Sequence, residues 1–364
     1  MSETILKQEE RVAFALRTLY RKYGYLPYNM SKFEPYDLYS SNKDFLVGDG
    51  VITFNDAFGK LLALKPDVTL SIIKNAGGEN CKVYYHENVY RISGATKEFK
   101  ELMQIGLERI GEKSVYALFE TAYLATASLN EISSDFVLDI SHLGILSATL
   151  EALGEDGAFQ KQIMQKLAEK NVHETLALCQ SRNIDKEKTD ALLALVKTYG
   201  DMQTVLKKLS PLCDSGKAKE AYDELAAVCA LLEKTEFADK IRIDFSVVND
   251  MKYYNGLVFK GFIGGVCEGV LSGGQYDRLM ARMGRKTGAI GFAVYLDLLE
   301  NLQSEKRAYD IDLLVLYDDN TDPALLAKTV QEEISAGKSV SAQKEKGKLR
   351  FENILDLTGG KHND

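Results

Sequence analysis

From about Ile145 to Asp239 the chain reads as one mostly helical block, rich in Ala, Leu, Lys and Glu. Apolar residues recur there at helical spacing, as at Leu192, Leu195, Val196 and Tyr199. Strand-like runs lie on both sides of the block. Upstream are Val83–Tyr85, Val89–Ile92 and Gln104–Glu108; downstream are Ile241–Val248 and Leu257–Phe262. Each is short and rich in β-branched or aromatic residues. Helices inserted between two groups of strands point to a mixed α+β body.

Smaller signals fill in the outline. Residues 4–23 form an amphipathic pattern, with Ile5, Val12, Leu16 and Leu19 on one stripe, and Gly24 ends it. Val51–Phe54 and Leu61–Leu64 flank Asn55–Gly59 and predict a hairpin. Polar residues from Ser93 to Glu101 predict a loop between two antiparallel strands. Helices are expected over Tyr276–Met283 and Val294–Gln303. Glu305-Lys306-Arg307 reads as a linker, followed by a strand (Ile311–Leu316), a helix (Pro323–Ile334) and two more strand-like runs. The expected division is a core over 1–305 and a small α/β unit over 306–364. A length of 364 residues suits two or three such units.

Several classes are set aside at this stage. The first 16 residues carry Glu3, Lys7, Glu9, Glu10 and Arg11, so they do not form the apolar core of a signal peptide. No run approaches 18 apolar residues, which argues against a membrane span and for a cytoplasmic protein. Five cysteines and four histidines are scattered without a CxxC pair, so neither a disulfide framework nor a zinc site is expected. Net charge is −8, which points away from nucleic acid as a partner. The glycine-dense run from Gly261 to Gly274 matches neither a P-loop nor a dinucleotide loop, and reads instead as close strand packing or close backbone approach. No cofactor and no metal are expected.

Polar residues within the strand-like runs carry more information: Asp67, Thr69, Arg91, Gln104, Glu108, Tyr253 and Tyr254. Gln104 and Glu108 are four apart and share one face of a strand. If that face is buried, each must be paired or cost a few kcal/mol. Acids, an amide and tyrosine hydroxyls then suit a small amine or cation. The other reading is an exposed sheet edge, where the same residues are merely solvated.

Four stretches, taken in order, resemble class II histidyl-tRNA synthetases. Tyr84–Gly111 (YYHENVYRISGATKEFKELMQIGLERIG) is similar to motif 2 of that family. Leu64–Thr69 (LKPDVT) is similar to its LRPEGT. Asn249–Phe259 (NDMKYYNGLVF) is similar to its RGLDYYTGTVF block. Ser272–Leu299 is similar to its GGRYD stretch and motif 3. The series covers about residues 5–303. It implies the class II core, a six- to seven-stranded, mainly antiparallel sheet flanked by helices, with a helical insertion and a small C-terminal α/β unit. It also implies a homodimer through about Tyr23–Tyr39, although the tyrosines there suit plain core equally well.

The resemblance assigns roles residue by residue. Asp67 (in place of Glu), Thr69, Gln104, Glu108, Tyr253 and Tyr254 match the histidine ligands, and Arg91 matches the arginine on the α-phosphate. Other positions depart from the family. The adenine-contacting glutamate is Ser93, and the loop arginines fall on Glu98 and Lys100. The catalytic arginine falls on Asn249 and the motif 3 arginine on Leu298. Adenylation needs fixed cations around the α-phosphate, and losing one such group typically costs about 10²- to 10³-fold. No catalytic residue is therefore expected, while an amino-acid pocket survives, either as a working site or as inherited fold support.

This combination resembles the synthetase-like regulatory subunits that some bacteria pair with a short-form ATP phosphoribosyltransferase in histidine biosynthesis. It implies a non-enzymatic chain whose partners are that catalytic subunit and further copies of itself, in a hetero-octamer-like assembly with L-histidine as effector. Arg91 would hold the ligand carboxylate. The alternatives are a divergent histidyl-tRNA synthetase and a paralogue acting on RNA or protein.

Overall fold

The computed structural model describes residues 7–42, 50–75, 80–93, 96–111, 113–247, 253–299 and 308–359. Asn249, the linker at 305–307 and the first residues of the N-terminal helical pattern lie outside these. The chain divides into two compact units, Met1–Leu302 and Gln303–Asp364.

The first unit opens with α1 (Gln8–Lys22), whose Val12, Ala13, Leu16 and Tyr20 are buried. Gly24, at φ +81°, ends it in a backbone conformation that only glycine adopts freely. Two short strands, β1 (Leu26–Pro27) and β2 (Phe33–Pro35), precede a one-turn helix α2 (Tyr36–Ser40). In this region Tyr25 and Tyr39 are core residues, whereas Leu26 and Phe33 are exposed. The expected hairpin is β3 (Thr53–Asn55) and β4 (Leu61–Leu64), joined by β2 into a small antiparallel sheet. Helix α3 (Thr69–Asn75) follows.

The long hairpin comes next, β5 (Cys81–Ile92) and β6 (Phe99–Gly111). Its loop is shorter than expected. Arg91 pairs with Lys100, and the Ser93 N–H donates to the Glu98 carbonyl at 2.8 Å, which closes a tight turn. Then come α4 (Val115–Ile132) and the strand β7 (Phe136–His142). The helical block is α5 (Leu143–Leu153), α6 (Gly157–Ala168), α7 (Val172–Ser181), α8 (Lys186–Lys197), the two-residue strand β8 (Tyr199–Gly200), α9 (Met202–Leu209) and α10 (Gly216–Leu232). Asp156, Asn171, Asp185 and Asp201 each accept the backbone N–H three residues on, capping four of these helices. Each cap is worth about 1 kcal/mol.

The sheet is completed by β9 (Ile241–Asp244), β10 (Leu257–Ile263), β11 (Leu271–Gln275) and β12 (Gly288–Tyr295), with α11 (Asp277–Arg282) between the last two. Its nine strands run β1-β5-β6-β12-β11-β10-β7-β9-β8. Two of them, β1 and β8, are only two residues long, leaving seven longer ones. Only the β1–β5 and β7–β9 pairs are parallel. The helix expected over 294–303 is not formed at its start. Val294 and Tyr295 close β12 in register with Ile105 and Gln104, and Leu296–Leu299 makes a single 3₁₀ turn. Alternation decides this: Ile290, Phe292 and Val294 fill one face of the strand while Gly291, Ala293 and Tyr295 occupy the other.

Two cores cover the two faces. Ile105, Leu107, Ile140, Phe259 and Phe292 pack with α1, α4 and the helical block. On the opposite face Val83, Tyr85 and Val89 pack with α3 and α11.

The second unit is a three-stranded parallel sheet, β14 (Val340–Gln343), β13 (Ile311–Leu316) and β15 (Phe351–Asp356), with α12 (Pro323–Ser335). Leu313 to Leu316 are buried in its central strand.

Candidate functional site

The site is built on β6, which is paired on both sides, with β5 and with β12. Gln104, Gly106 and Glu108 project to one face, and the exposed-edge reading of Gln104 and Glu108 is thereby corrected: they are 4 % and 2 % exposed. Burying a carboxyl demands partners, and Glu108 has two. Thr69 Oγ1 donates to its Oε1 at 2.7 Å, and the Tyr276 hydroxyl donates to its Oε2 at 2.5 Å. Burial pushes Glu108 up to about 8, the two hydroxyls work against that rise, and the nearby Asp67 charge adds to it.

Glycines make the room. Gly291 lies opposite Glu108 in the sheet, and a Cβ there would sit 1.7 Å from Glu108 Oε2. Gly106 lies opposite Tyr85, and its Cβ would meet the Tyr85 hydroxyl at 2.5 Å. Gly274 leaves space for the Tyr254 ring in the same way. Of these three, only Gly274 belongs to the glycine-dense run, and there the Leu257 carbonyl and the Tyr254 ring approach closely.

Asp67 and Thr69 are not strand residues. Asp67 lies just before α3, and its Oδ1 accepts the Leu70 N–H at 2.9 Å, capping the first turn. A loop running into a helix N-terminus is what turns both side chains toward β6. Burial raises the Asp67 pKa, while the Leu70 N–H and Arg91 oppose the rise. Arg91 Nε donates to the Pro66 carbonyl at 3.1 Å, tying the end of β5 to the same loop. Tyr253 and Tyr254 also sit in a loop rather than a strand, with ring centroids 4.7 Å apart, and Tyr253 leans on Tyr276 at 5.9 Å. Burial raises all three hydroxyls well above their ordinary value.

All seven candidate residues line one pocket that opens to solvent. Tyr85, Ser272, Tyr276 and Tyr295 line it too and were not among the sequence candidates. Tyr276 stands in the quoted GGRYD-like stretch, which was the available signal for it. The lining holds two carboxyl groups and one guanidinium, and its described residues include no His, Cys or Lys. This set can hold an ammonium group, a nitrogen ring and a carboxylate together.

The family model described as Histidyl-tRNA synthetase matches residues 2–299. The chain belongs to the histidyl-tRNA synthetase family. An ATP phosphoribosyltransferase regulatory subunit from Oceanobacillus iheyensis is 27% identical over 346 residues, covering 92% of this chain and 84% of the relative. A crystal structure from Bacillus halodurans, titled as an ATP phosphoribosyltransferase regulatory subunit/histidyl-tRNA synthetase, superposes with a TM-score of 0.81 at 22% identity, covering 97% and 94% of the two chains. A chain of an ATP phosphoribosyl transferase (HisG:HisZ) complex from Thermotoga maritima gives 0.62 at 18% identity, covering 78% and 96%. The last two likenesses establish the fold alone.

Against the histidyl-tRNA synthetase pattern, the departing positions have other local duties. Ser93 sits in the hairpin turn, where its Oγ accepts the Thr96 N–H at 3.2 Å. Glu98 is exposed in that turn. Leu298 packs against the main core. Asn249 lies outside the described residues.

Proposed function

We propose that this chain is the non-catalytic regulatory subunit of a short-form ATP phosphoribosyltransferase, which acts in histidine biosynthesis, and that its pocket senses histidine. One contrast carries the reading. The six residues that match histidine ligands converge with Arg91 on a single cavity, while Ser93, Glu98 and Leu298 stand without charge or with the wrong charge where a nucleotide needs cations. Curated relatives with the regulatory-subunit name, matched over most of their length, support it.

A carboxylate serves the α-amine, and carboxylate, amide and hydroxyl groups, drawn from Asp67, Thr69, Gln104, Glu108, Tyr253 and Tyr254, serve the imidazole. Arg91 holds the carboxylate now that no phosphate competes for it. The regulation is linkage: histidine biases a hetero-oligomer, containing copies of this chain and of the catalytic subunit, by its difference in affinity for two states. Such a coupling is typically about 1–3 kcal/mol.

The test is calorimetry with L-histidine on the wild-type chain and Glu108→Ala, beside co-purification with a short-form catalytic subunit. Binding that is lost in the variant, together with a stable complex, is the expected result. Absence of binding, or equal binding by both chains, removes the sensor. Histidine-dependent pyrophosphate exchange by the chain alone would establish the divergent-synthetase alternative instead.

A further inference from the structure

The floor of the cavity is made of small residues. Across β6, β12 and β11, the row Gly106–Ala293–Ser272 lies beside the row Glu108–Gly291–Gly274, and the registers place all six on one face. Glu108, Tyr85 and Tyr254 lean into the space over Gly291, Gly106 and Gly274. The next position along β12 breaks this pattern: Tyr295, paired with Gln104, raises a full phenol ring at the edge of the small-residue floor. Gln104 lies on the side of Glu108 nearer the β5–β6 turn, where Arg91 pairs with Lys100, so Tyr295 stands at the Arg91 end of the cavity that both residues line. On the reading above, Arg91 holds the ligand carboxylate. The ring therefore stands where anything attached to that carboxylate would have to go.

We infer that Tyr295 is a specificity-determining wall that restricts this pocket to free α-amino acids and rejects carboxyl-extended forms such as esters, bulky amides and acyl-adenylates. The inference rests on the proposed amino-acid pocket and adds a size limit at one end. It also gives the site a second reason not to serve activation. Even with its cations restored, the cavity would have no space on the carboxyl side for the activated product.

The experiment separates charge from size. L-histidinamide lacks the carboxylate charge and adds little bulk, whereas L-histidine benzyl ester lacks the same charge and adds a ring. Calorimetric affinities for both, and for L-histidine, are measured on the wild-type chain, Tyr295→Ala and Tyr295→Phe. The wild type and Tyr295→Phe are expected to bind the ester at least about 100-fold more weakly than the amide, the scale on which a filled pocket discriminates. Tyr295→Ala is expected to bring the two within about 10-fold. An ester-to-amide ratio near one in the wild type overturns the inference, and that measurement needs no variant to fold. An unchanged ratio in a folded Tyr295→Ala overturns it as well. Failure of the wild type to bind L-histidine at all removes the amino-acid pocket itself, and with it the wall.

Discussion

Glu108 gives the pocket a measurable pH signature. Its ordinary pKa of 4.5 rises to about 8 in the folded chain, because burial penalises the charge more than Thr69 and Tyr276 can offset. Below pH 4.5 the folded and unfolded chains both carry the proton. Between 4.5 and about 8 only the folded chain carries it, so stability falls as pH rises through this window. Above it the full cost of a buried charge is in place. The slope is about 1.4 kcal/mol per pH unit and, for a gap of about 3.5 in pKa, the ceiling is about 5 kcal/mol. Glu108→Gln keeps the shape and hydrogen-bonding capacity but cannot ionise. Urea unfolding of both chains without ligand at pH 5, 6, 7 and 8 should therefore give curves that diverge by several kcal/mol, the variant gaining on the wild type as pH rises. Asp139, also raised by burial to about 6, titrates in both chains and cancels in the difference. Parallel curves from pH 5 to 8 would refute the assignment of Glu108 as a neutral acid in the empty pocket.

Other perturbations test the surrounding parts. Gly291→Ala places a methyl on the Glu108 carboxyl, so it should destabilise by about 1–3 kcal/mol in denaturant titrations and weaken histidine binding about 10- to 100-fold by calorimetry. Asp67→Asn should keep the cap on α3 and lose the charge, whereas Asp67→Ala should lose both and cost about 1 kcal/mol more on urea unfolding; equal stability of the two variants would deny the capping role. Lys65 is fully buried and pairs with Glu87 at 2.9 Å, so Lys65→Met should cost about 3 kcal/mol by leaving that acid unpaired, and adding Glu87→Leu should recover most of the loss.

The readable parts of this protein were those with a short-range rule. A period of two placed Gln104 and Glu108 on one face, helical spacing marked the α5–α10 block, and Gly24 marked the end of α1. Helix α4 escaped because its buried residues go all the way round, including Glu120, Thr121 and Ser128, so no amphipathic stripe forms. Strand β7 is likewise buried on both faces and shows little alternation. The candidate site was legible as a set of residues but not as a geometry. That Asp67 and Thr69 act from a loop and a helix start depends on how α3 docks over β5 and β6. Gly291 takes its meaning from a side chain some 180 positions earlier in the chain, and no local pattern could reveal that. Tyr295 falls within the helix expected over 294–303, and pairing with β6 makes it the last residue of β12 instead.

The glycine floor has a bearing on how news of an occupied pocket could leave it. Strands hydrogen-bonded on both sides have little freedom to shift, so the base of the pocket serves as an anvil. Movement is left to what lies above: the start of α3, which presents Asp67 and Thr69, and the tyrosine pair at 253–254. A sensor built this way would report its ligand by drawing those two pieces down onto a fixed bed.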